Sequence, residues 1–141
     1  MRIAIIDAQG GGIGKAVIEK LRQTFGNELD IAAFGTNALA TALMLKAGAN
    51  EGATGENAIS VSVSRFDVII GSISIIAANS MFGELTPRMA AAIAESPGLK
   101  ILIPLNKYNI QIAGVKSEPL PHYIDEAVIL LQKYMEVRKN V

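Results

Sequence analysis

The chain of 141 residues contains no cysteine and a single histidine, His122. Without cysteine there can be no disulfide bond, zinc–thiolate site, iron–sulfur cluster or thiol chemistry. One histidine cannot build a histidine-rich metal site, so we predict no metal centre. His122 lies in the first turn of the last predicted helix, directly after two nearby prolines, and we expect it to be a surface or structural residue.

Charged residues are scarce as well, since they make up 18% of a chain that is half hydrophobic. About a quarter is typical of globular domains. The shortage suggests that a second subunit covers part of the surface, and we expect a homodimer that uses the apolar segment 73–82. Thirteen basic residues balance thirteen acidic ones. Because the broad positive field required by phosphodiester backbones is missing, we expect no nucleic-acid partner.

Long hydrophobic runs are also missing. The most apolar segment, residues 68–82, is short and is interrupted by Gly71, Ser72, Ser74 and Asn79, so we expect no membrane span. A predicted strand begins directly after Met1 and Arg2, with no apolar leader before it. We therefore expect a cytoplasmic protein.

The hydrophobic pattern predicts alternating strands and helices. Strands are predicted at residues 3–6, 30–34, 67–70 and 100–105, a very short one within 49–57, and an edge strand at 111–115. Alternation of Ile59, Val61 and Val63 with serines favours a half-exposed strand there as well. The predicted helices are residues 13–25, 38–47, a segment that begins at Thr86-Pro87 and ends before Pro97, and a final helix introduced by Pro119 and Pro121.

This order implies a Rossmann-like α/β fold: a doubly wound, mostly parallel sheet with right-handed crossovers in three αβα layers. We expect one domain over residues 1–141. In the first helix, Ile13, Val17, Leu21 and Phe25 recur every four residues, which places Arg22 on the opposite side, away from the sheet. Asn37 and Thr86 are predicted helix caps, with Glu84 favouring the dipole of the second of these helices.

The glycine-rich turn after the first strand is the most informative feature. Residues 3–15 read IAIIDAQGGGIGK. Glycines let the backbone approach a ligand closely, and the helix that follows presents free N–H groups to an anion. We predict that a phosphorylated nucleotide binds here, with an anion cradle formed by the amides around Gly12 and Gly14. The predicted binding residues are Asp7, Gln9, Gly10, Gly11, Gly12, Ile13, Gly14 and Lys15.

Further candidates follow from strand ends, because ligands of open α/β sheets lie beyond the carboxyl ends of the strands. Asp7, Ser72 with Ser74, and Asn106 with Lys107 follow three predicted strands. Ser72 is included in the predicted binding site. Asp7 has two equally weighted interpretations: it contacts the substrate, or it bonds the amides of its own loop.

Dinucleotide-binding folds usually carry an acidic residue after the second strand, which holds a ribose hydroxyl. Here Thr36 and Asn37 stand at that place. They could bond a hydroxyl or, with Lys15, accept a 2′-phosphate, which favours NADP over NAD as the cofactor. The alternative is that the two residues only begin the second helix.

The loop resembles the fingerprint T-G-x-x-x-G-x-G of short-chain dehydrogenases, aligned over residues 7–14. Gly12 and Gly14 match and Ala8 replaces the first glycine. The resemblance implies NAD(P) binding through the first strand–turn–helix. It does not extend to catalysis, because the family's Tyr-x-x-x-Lys is missing. The three tyrosines, at positions 108, 123 and 134, are followed four residues later by isoleucine, alanine and arginine.

Residues 11–15 also resemble the variant loop K-G-G-x-G-K-[ST] of P-loop NTPases. Gly10 stands in place of its first lysine, and Ala16 replaces the Ser/Thr that ligates Mg²⁺. An NTPase without this ligand is therefore the lower-ranked enzymatic alternative. A tight turn that binds nothing is the remaining one.

Four phrases, IIDAQGGGIGKAVIEKL, FGTNALATALMLKAGANEGATGENAI, ANSMFGELTPRMAAAI and KILIPLN, span nearly the whole chain. Together they resemble a small bacterial family, found mostly in anaerobes, that is defined by a conserved domain of unknown function. The resemblance implies a Rossmann-like fold and assigns no activity. A reductase and a non-catalytic nucleotide-sensing or accessory protein both stay open.

Overall fold

The computed structural model describes residues 1–105 and 107–139 of the chain. Five strands alternate with five helices. The strands are β1 (Arg2–Asp7), β2 (Asp30–Gly35), β3 (Glu51–Thr54), β4 (Val68–Ser72) and β5 (Leu99–Ile103). The helices are α1 (Gly12–Phe25), α2 (Ala38–Ala47), α3 (Glu56–Ser62), α4 (Pro87–Glu95) and α5 (Leu120–Lys139), and short 3₁₀ turns cover Val63–Arg65 and Ile73–Ile76.

The strands form one parallel sheet in the order β3-β2-β1-β4-β5. β1 is central, with Ile3 aligned with Ile31 of β2 on one side and with Val68 of β4 on the other. The chain first builds outward from β1 to β3 and then returns to place β4 on the other side of β1. The boundary between β1 and β4 is therefore the topological switch point of the sheet.

Hydrophobic cores lie on both faces of the sheet. On one face, α1 and α5 pack against alternate residues of the strands, with Val17, Leu21 and Ile124 buried. On the other face, α3 and α4 cover the remaining residues, with Ile59 and Ile93 buried. The predicted Rossmann-like, three-layer α/β fold is thus confirmed.

Arg22 joins the carboxyl ends of α1 and α2 to the amino end of β2, although the sequence pattern places it away from the core. Its guanidinium donates to carbonyl oxygens of Gly26, Leu29 and Gly48 at 2.9–3.0 Å. It also donates to Oδ1 of Asn50 at 2.8 Å. The bonds to Gly26 and Gly48 satisfy carbonyl groups at the ends of α1 and α2, where intrahelical partners are missing. A planar guanidinium with five donors suits this arrangement.

Two predicted strands are absent from the described residues. Residues 59–62 belong to α3, because the same pattern also fits a helix: Ile59 and Val63 are four residues apart and buried, whereas Val61 is exposed. Residues 111–115 form no strand. Gly114 has a left-handed φ of 84°, and Val115 N–H donates to the carbonyl of Ile112 in a turn.

The predicted caps are confirmed. Asn37 accepts a hydrogen bond from the backbone N–H of Ala40 at 2.9 Å, and Thr86 accepts one from Met89 at 3.1 Å. Glu84 does not contribute to the second cap, because its carboxylate is bonded to residues of the glycine-rich loop and the end of β2.

The apolar segment 73–82 is divided between core and surface. Ile75 and Met81 are buried, whereas Phe82 is 98% exposed. The homodimer expected from this segment stays a prediction. Within residues 1–105 and 107–139, no helix has the length and apolar character that crossing a membrane requires.

Candidate functional site

A cleft of about 420 Å³ opens at the switch point, beyond the carboxyl ends of β1 and β4. The glycine-rich loop forms one wall, and the segment between β5 and α5 forms the other. Lining residues are Asp7, Ala8, Gln9, Gly10, Gly11, Gly12, Ile13, Ser72, Ser74, Met81, Leu105, Lys107, Tyr108 and Leu120. The structure therefore brings Ser72 together with most of the glycine-loop residues that the sequence singles out.

Two glycines of this loop are required by the fold itself. Gly11 has a left-handed φ of 76°, and a Cβ there would lie 2.9 Å from Cα of Ala40 in α2. A Cβ on Gly14 would lie 2.4 Å from Sδ of Met44 and 3.1 Å from Cβ of Asp7. Gly11 makes the turn, and Gly14 lets α1 pack closely on its neighbours.

The other two glycines have no such role. Gly10 and Gly12 are exposed, and neither has a positive φ. Apart from chain neighbours and the backbone of α1, no atom of the described residues lies within 4 Å of where their Cβ would stand. Their backbone N–H groups make no hydrogen bond to any of the described residues. Glycine at these two positions lowers the stability of the chain without improving its packing. Both face the cleft.

Asp7 fills the innermost part of the loop. Its buried carboxylate accepts hydrogen bonds from the backbone N–H of Ala8 at 2.8 Å and of Gly14 at 2.7 Å. Of the two interpretations of Asp7, the structure shows the bonding of loop amides. The predicted cradle is corrected accordingly: the amide of Gly14 is already occupied by the protein's own side chain, which leaves Gly10 and Gly12.

The environment of Asp7 favours its protonated form. Burial has the largest effect and raises the pKa of the carboxyl, and the negative charge of Glu84 raises it slightly further. Hydrogen bonds from Gly14, Ala8 and Ile13 lower the pKa but do not cancel the effect of burial.

This shift predicts a pH dependence of stability. Because the folded protein binds the proton of Asp7 more tightly than the unfolded chain does, this stabilisation is present at low pH. It is lost as the pH rises through the folded-state pKa. We expect the difference in unfolding free energy between wild type and Asp7→Asn, measured by urea titration from about pH 4 to 8, to fall as pH rises. A difference that is constant or grows with pH would contradict the shift.

Ser72 and Ser74 form a buried pair at the floor of the cleft. Their hydroxyl groups are hydrogen-bonded to each other, and both side chains are almost inaccessible to solvent. Ser80 donates to the carbonyl of Ser74 at 2.6 Å. This bond joins the β4–α4 loop, residues 77–86, to the 3₁₀ turn that follows β4.

Thr36, Asn37 and Lys15 lie outside the cleft. Thr36 Oγ1 and Asn37 Nδ2 donate to Oε1 of Glu84 at 2.7 and 2.8 Å. The backbone N–H of Gln9 donates to the same oxygen at 2.9 Å. Lys15 is exposed and lies 3.9 Å from Glu19, one helical turn away. Of the three residues expected to meet a ribose or a 2′-phosphate, Thr36 and Asn37 are therefore held by Glu84, and Lys15 lies beside Glu19.

Lys107 and Tyr108 stand opposite the glycine loop. Both are exposed, and both line the cleft. Tyr108 and Asn109 have left-handed φ values of 58° and 57°, in a turn closed by a bond from Ile110 N–H to the carbonyl of Lys107. Lys107 brings a positive charge to this wall. Asn106, predicted beside it, lies outside the described residues.

The chain is similar to a known protein family over nearly its whole length. Residues 2–136 match the family described as domain of unknown function (DUF3842). The chain belongs to this family. No curated protein matches the sequence. Among solved structures, the chain is similar to a dodecameric FMN-dependent Ubix-like decarboxylase from Escherichia coli O157:H7, with 15% identity and a TM-score of 0.44. The alignment covers 94% of this chain and 76% of that one.

A second concavity of about 430 Å³ lies between β5 and α5. It includes His122, which is half-exposed at its side chain and lies 3.6 Å from Glu126. The concavity lies along the edge of the sheet rather than at the switch point, and the glycine-rich loop does not line it. We therefore place the candidate site in the first cleft.

Sequence reasoning missed the role of Glu84. Its partners are Gln9, Thr36 and Asn37, which lie 75, 48 and 47 residues away along the chain. No local sequence pattern predicts such contacts. The signal in the sequence is indirect: the acidic residue usual after the second strand is missing, which leaves room for a carboxylate from another segment.

Proposed function

We propose that this protein binds a phosphorylated nucleotide in the switch-point cleft, with a phosphate group on the amides of Gly10 and Gly12. One observation carries the proposal. Among residues 1–105 and 107–139, the N–H groups of these two glycines have no hydrogen-bond acceptor, and the space where a Cβ would stand is open. Glycine at such positions allows an anion to reach the backbone. The amino end of α1 adds a favourable dipole.

The remaining surroundings support an anionic ligand of nucleotide size. Lys107 faces the loop across the cleft and supplies a positive charge. The division of roles in the loop also matches dinucleotide-binding folds, where one glycine makes the turn, one admits the phosphate and one allows close helix packing. Gly11, Gly12 and Gly14 correspond to these roles. NAD, NADP and mononucleotides all share the phosphate group that this part of the site would hold.

The proposal is tested by adding a methyl group where the phosphate is expected. We expect thermal unfolding of the wild type to shift upward with at least one of NAD, NADP, FMN, ATP and GTP. A ligand at one hundred times its Kd adds about 2.7 kcal/mol of stability. Gly12→Ala should bind the same ligand at least about tenfold more weakly, because the new Cβ stands between the amide and the phosphate. Its own melting temperature should not fall, since the described part of the chain leaves open space where the new Cβ would stand.

Lys107→Ala provides a second test, with the exposed Lys133→Ala as the matched control. Only the Lys107 variant should bind more weakly, and its affinity should depend less on salt. Stabilisation by ATP that requires Mg²⁺ would instead support the NTPase alternative. If no compound in the panel stabilises the wild type, or if Gly12→Ala binds as tightly, the phosphate site is wrong.

A further inference from the structure

The β4–α4 loop, residues 77–86, is held rigidly beside the glycine-rich loop. Asn79, Met81 and Phe82 all have left-handed φ angles, which non-glycine residues seldom adopt. The loop keeps this shape through internal bonds, including Asn79 N–H to the carbonyl of Leu85 at 2.8 Å. Strained backbone held in this way is most common at functional sites. Here it presents the side chain of Glu84.

The carboxylate of Glu84 lies where the glycine loop meets the end of β2. Its Oε1 accepts the bonds from Gln9, Thr36 and Asn37 described above. Among residues 1–105 and 107–139, no donor is bonded to its second oxygen, Oε2. One carboxylate oxygen therefore fixes the position of the group, and the other is left available to a ligand.

This place in the fold has a known chemical use. In dinucleotide-binding sheets, a carboxylate at the end of the second strand accepts hydrogen bonds from ribose hydroxyls, and a cationic residue replaces it where a 2′-phosphate must be held. In this chain the carboxylate comes from the β4–α4 loop instead of β2. It accepts a hydrogen bond from the N–H of Gln9, the residue before Gly10, and so stands beside the proposed phosphate site, next to the residues that line the cleft.

The carboxylate is ionised at neutral pH. Burial alone would raise the pKa of Glu84, but hydrogen bonds from Thr36, Gln9 and Asn37 outweigh it and leave the pKa below its usual value. Lys15, the cation expected to assist with a 2′-phosphate, lies beside Glu19 instead.

We propose that Glu84 makes this site specific for nucleotides with a free ribose 2′-hydroxyl and excludes those with a 2′-phosphate. This inference rests on the proposed phosphate site, and it reverses the preference for NADP over NAD that Thr36 and Asn37 suggest. Oε2 accepts a bond from the hydroxyl, whereas a 2′-phosphate brings a second negative charge to the carboxylate.

The test uses two ligands that differ only at this position, AMP and adenosine 2′,5′-bisphosphate, titrated calorimetrically into the full chain. We expect the wild type to bind AMP at least about tenfold more tightly. Glu84→Gln keeps an oxygen for the three donors and removes the charge, so it should fold and should reduce the preference to about threefold or less. Glu95→Gln, an exposed residue at the end of α4, should retain the wild-type preference.

Each outcome separates this inference from the proposal on which it rests. If the wild type binds AMP but binds the bisphosphate equally well or better, the site does not exclude a 2′-phosphate, although the phosphate site stands. If Glu84→Gln keeps the full preference, another residue determines it. If neither compound, nor NAD or NADP, binds the wild type, the phosphate site and the inference both fail. The wild-type comparison decides the question of exclusion even if the variant does not fold.

Discussion

Gly11→Ala should lower the free energy of unfolding by about 3 kcal/mol. An L-residue in the left-handed conformation costs about 1–2 kcal/mol, and overpacking a fitted contact costs about 1–3 kcal/mol more. Both terms apply, because Gly11 has a φ of 76° and its Cβ would approach the backbone of Ala40 to 2.9 Å. Differential scanning calorimetry should show a melting temperature lower by roughly 10 °C.

The neighbouring Gly12→Ala is the matched control for this effect. It makes the same chemical change one residue along the chain, at the first position of α1, where alanine is favoured over glycine by up to about 1 kcal/mol. Its melting temperature should be equal to or above that of the wild type. Equal destabilisation by the two variants would contradict the assignment of a structural role to Gly11 and a ligand-facing role to Gly12.

Arg22→Ala should also be strongly destabilising, by about 2–3 kcal/mol, because hydrogen bonds to charged groups are each worth about 1.5–3 kcal/mol and part of their loss is regained through water. The variant removes four bonds that tie together the ends of α1, α2 and β2. Urea unfolding should show a lower midpoint with an unchanged slope.

The controls for Arg22 are Gln23→Ala and Arg22→Lys. Gln23 is exposed on the same turn of α1, and its replacement should change stability by less than about 0.5 kcal/mol. Lysine should recover only a minor part of the loss, since one ammonium group cannot reach four acceptors in fixed directions. Full recovery by lysine would mean that charge rather than hydrogen-bond geometry stabilises this corner.

The fold could be predicted because its signals are local. The apolar run at residues 3–6, the four-residue spacing from Ile13 to Phe25, and the caps at Asn37 and Thr86 each depend on neighbours within about one helical turn. The sequence predicts β3 only as a very short strand within residues 49–57, and the strand at Glu51–Thr54 is four residues long.

Local sequence patterns cannot predict the secondary structure where the same residues fit both the repeat of a strand and the repeat of a helix. Ile59 and Val63 satisfy both the two-residue repeat of a strand and the four-residue repeat of a helix. The exposed Val61 between them decides for the helix, because only Ile59 and Val63 of the three are packed into the core between the sheet and α4. Arg22 shows the same limit, because Gly48 and Asn50, its partners after α2, come close to it only in the folded chain.

In the candidate site, sequence located the loop but could not assign its four glycines individually. Gly11 and Gly14 are explained by contacts with Ala40 and Met44 of α2, which depend on how two helices pack. The partners of Glu84 are equally distant along the chain. Chemistry that is assembled from separate segments in this way becomes visible only in three dimensions.

The position of Asp7 bears on what binding would require of the glycine-rich loop. Loops that wrap a phosphate are often disordered until the anion arrives, and the lost conformational freedom then weakens affinity. Here the carboxyl group of Asp7 already occupies the amino end of α1, where its oxygens accept hydrogen bonds from the N–H groups of Ala8 and Gly14. The loop is therefore preorganised by its own aspartate, and an incoming phosphate would meet a backbone whose ordering was completed during folding.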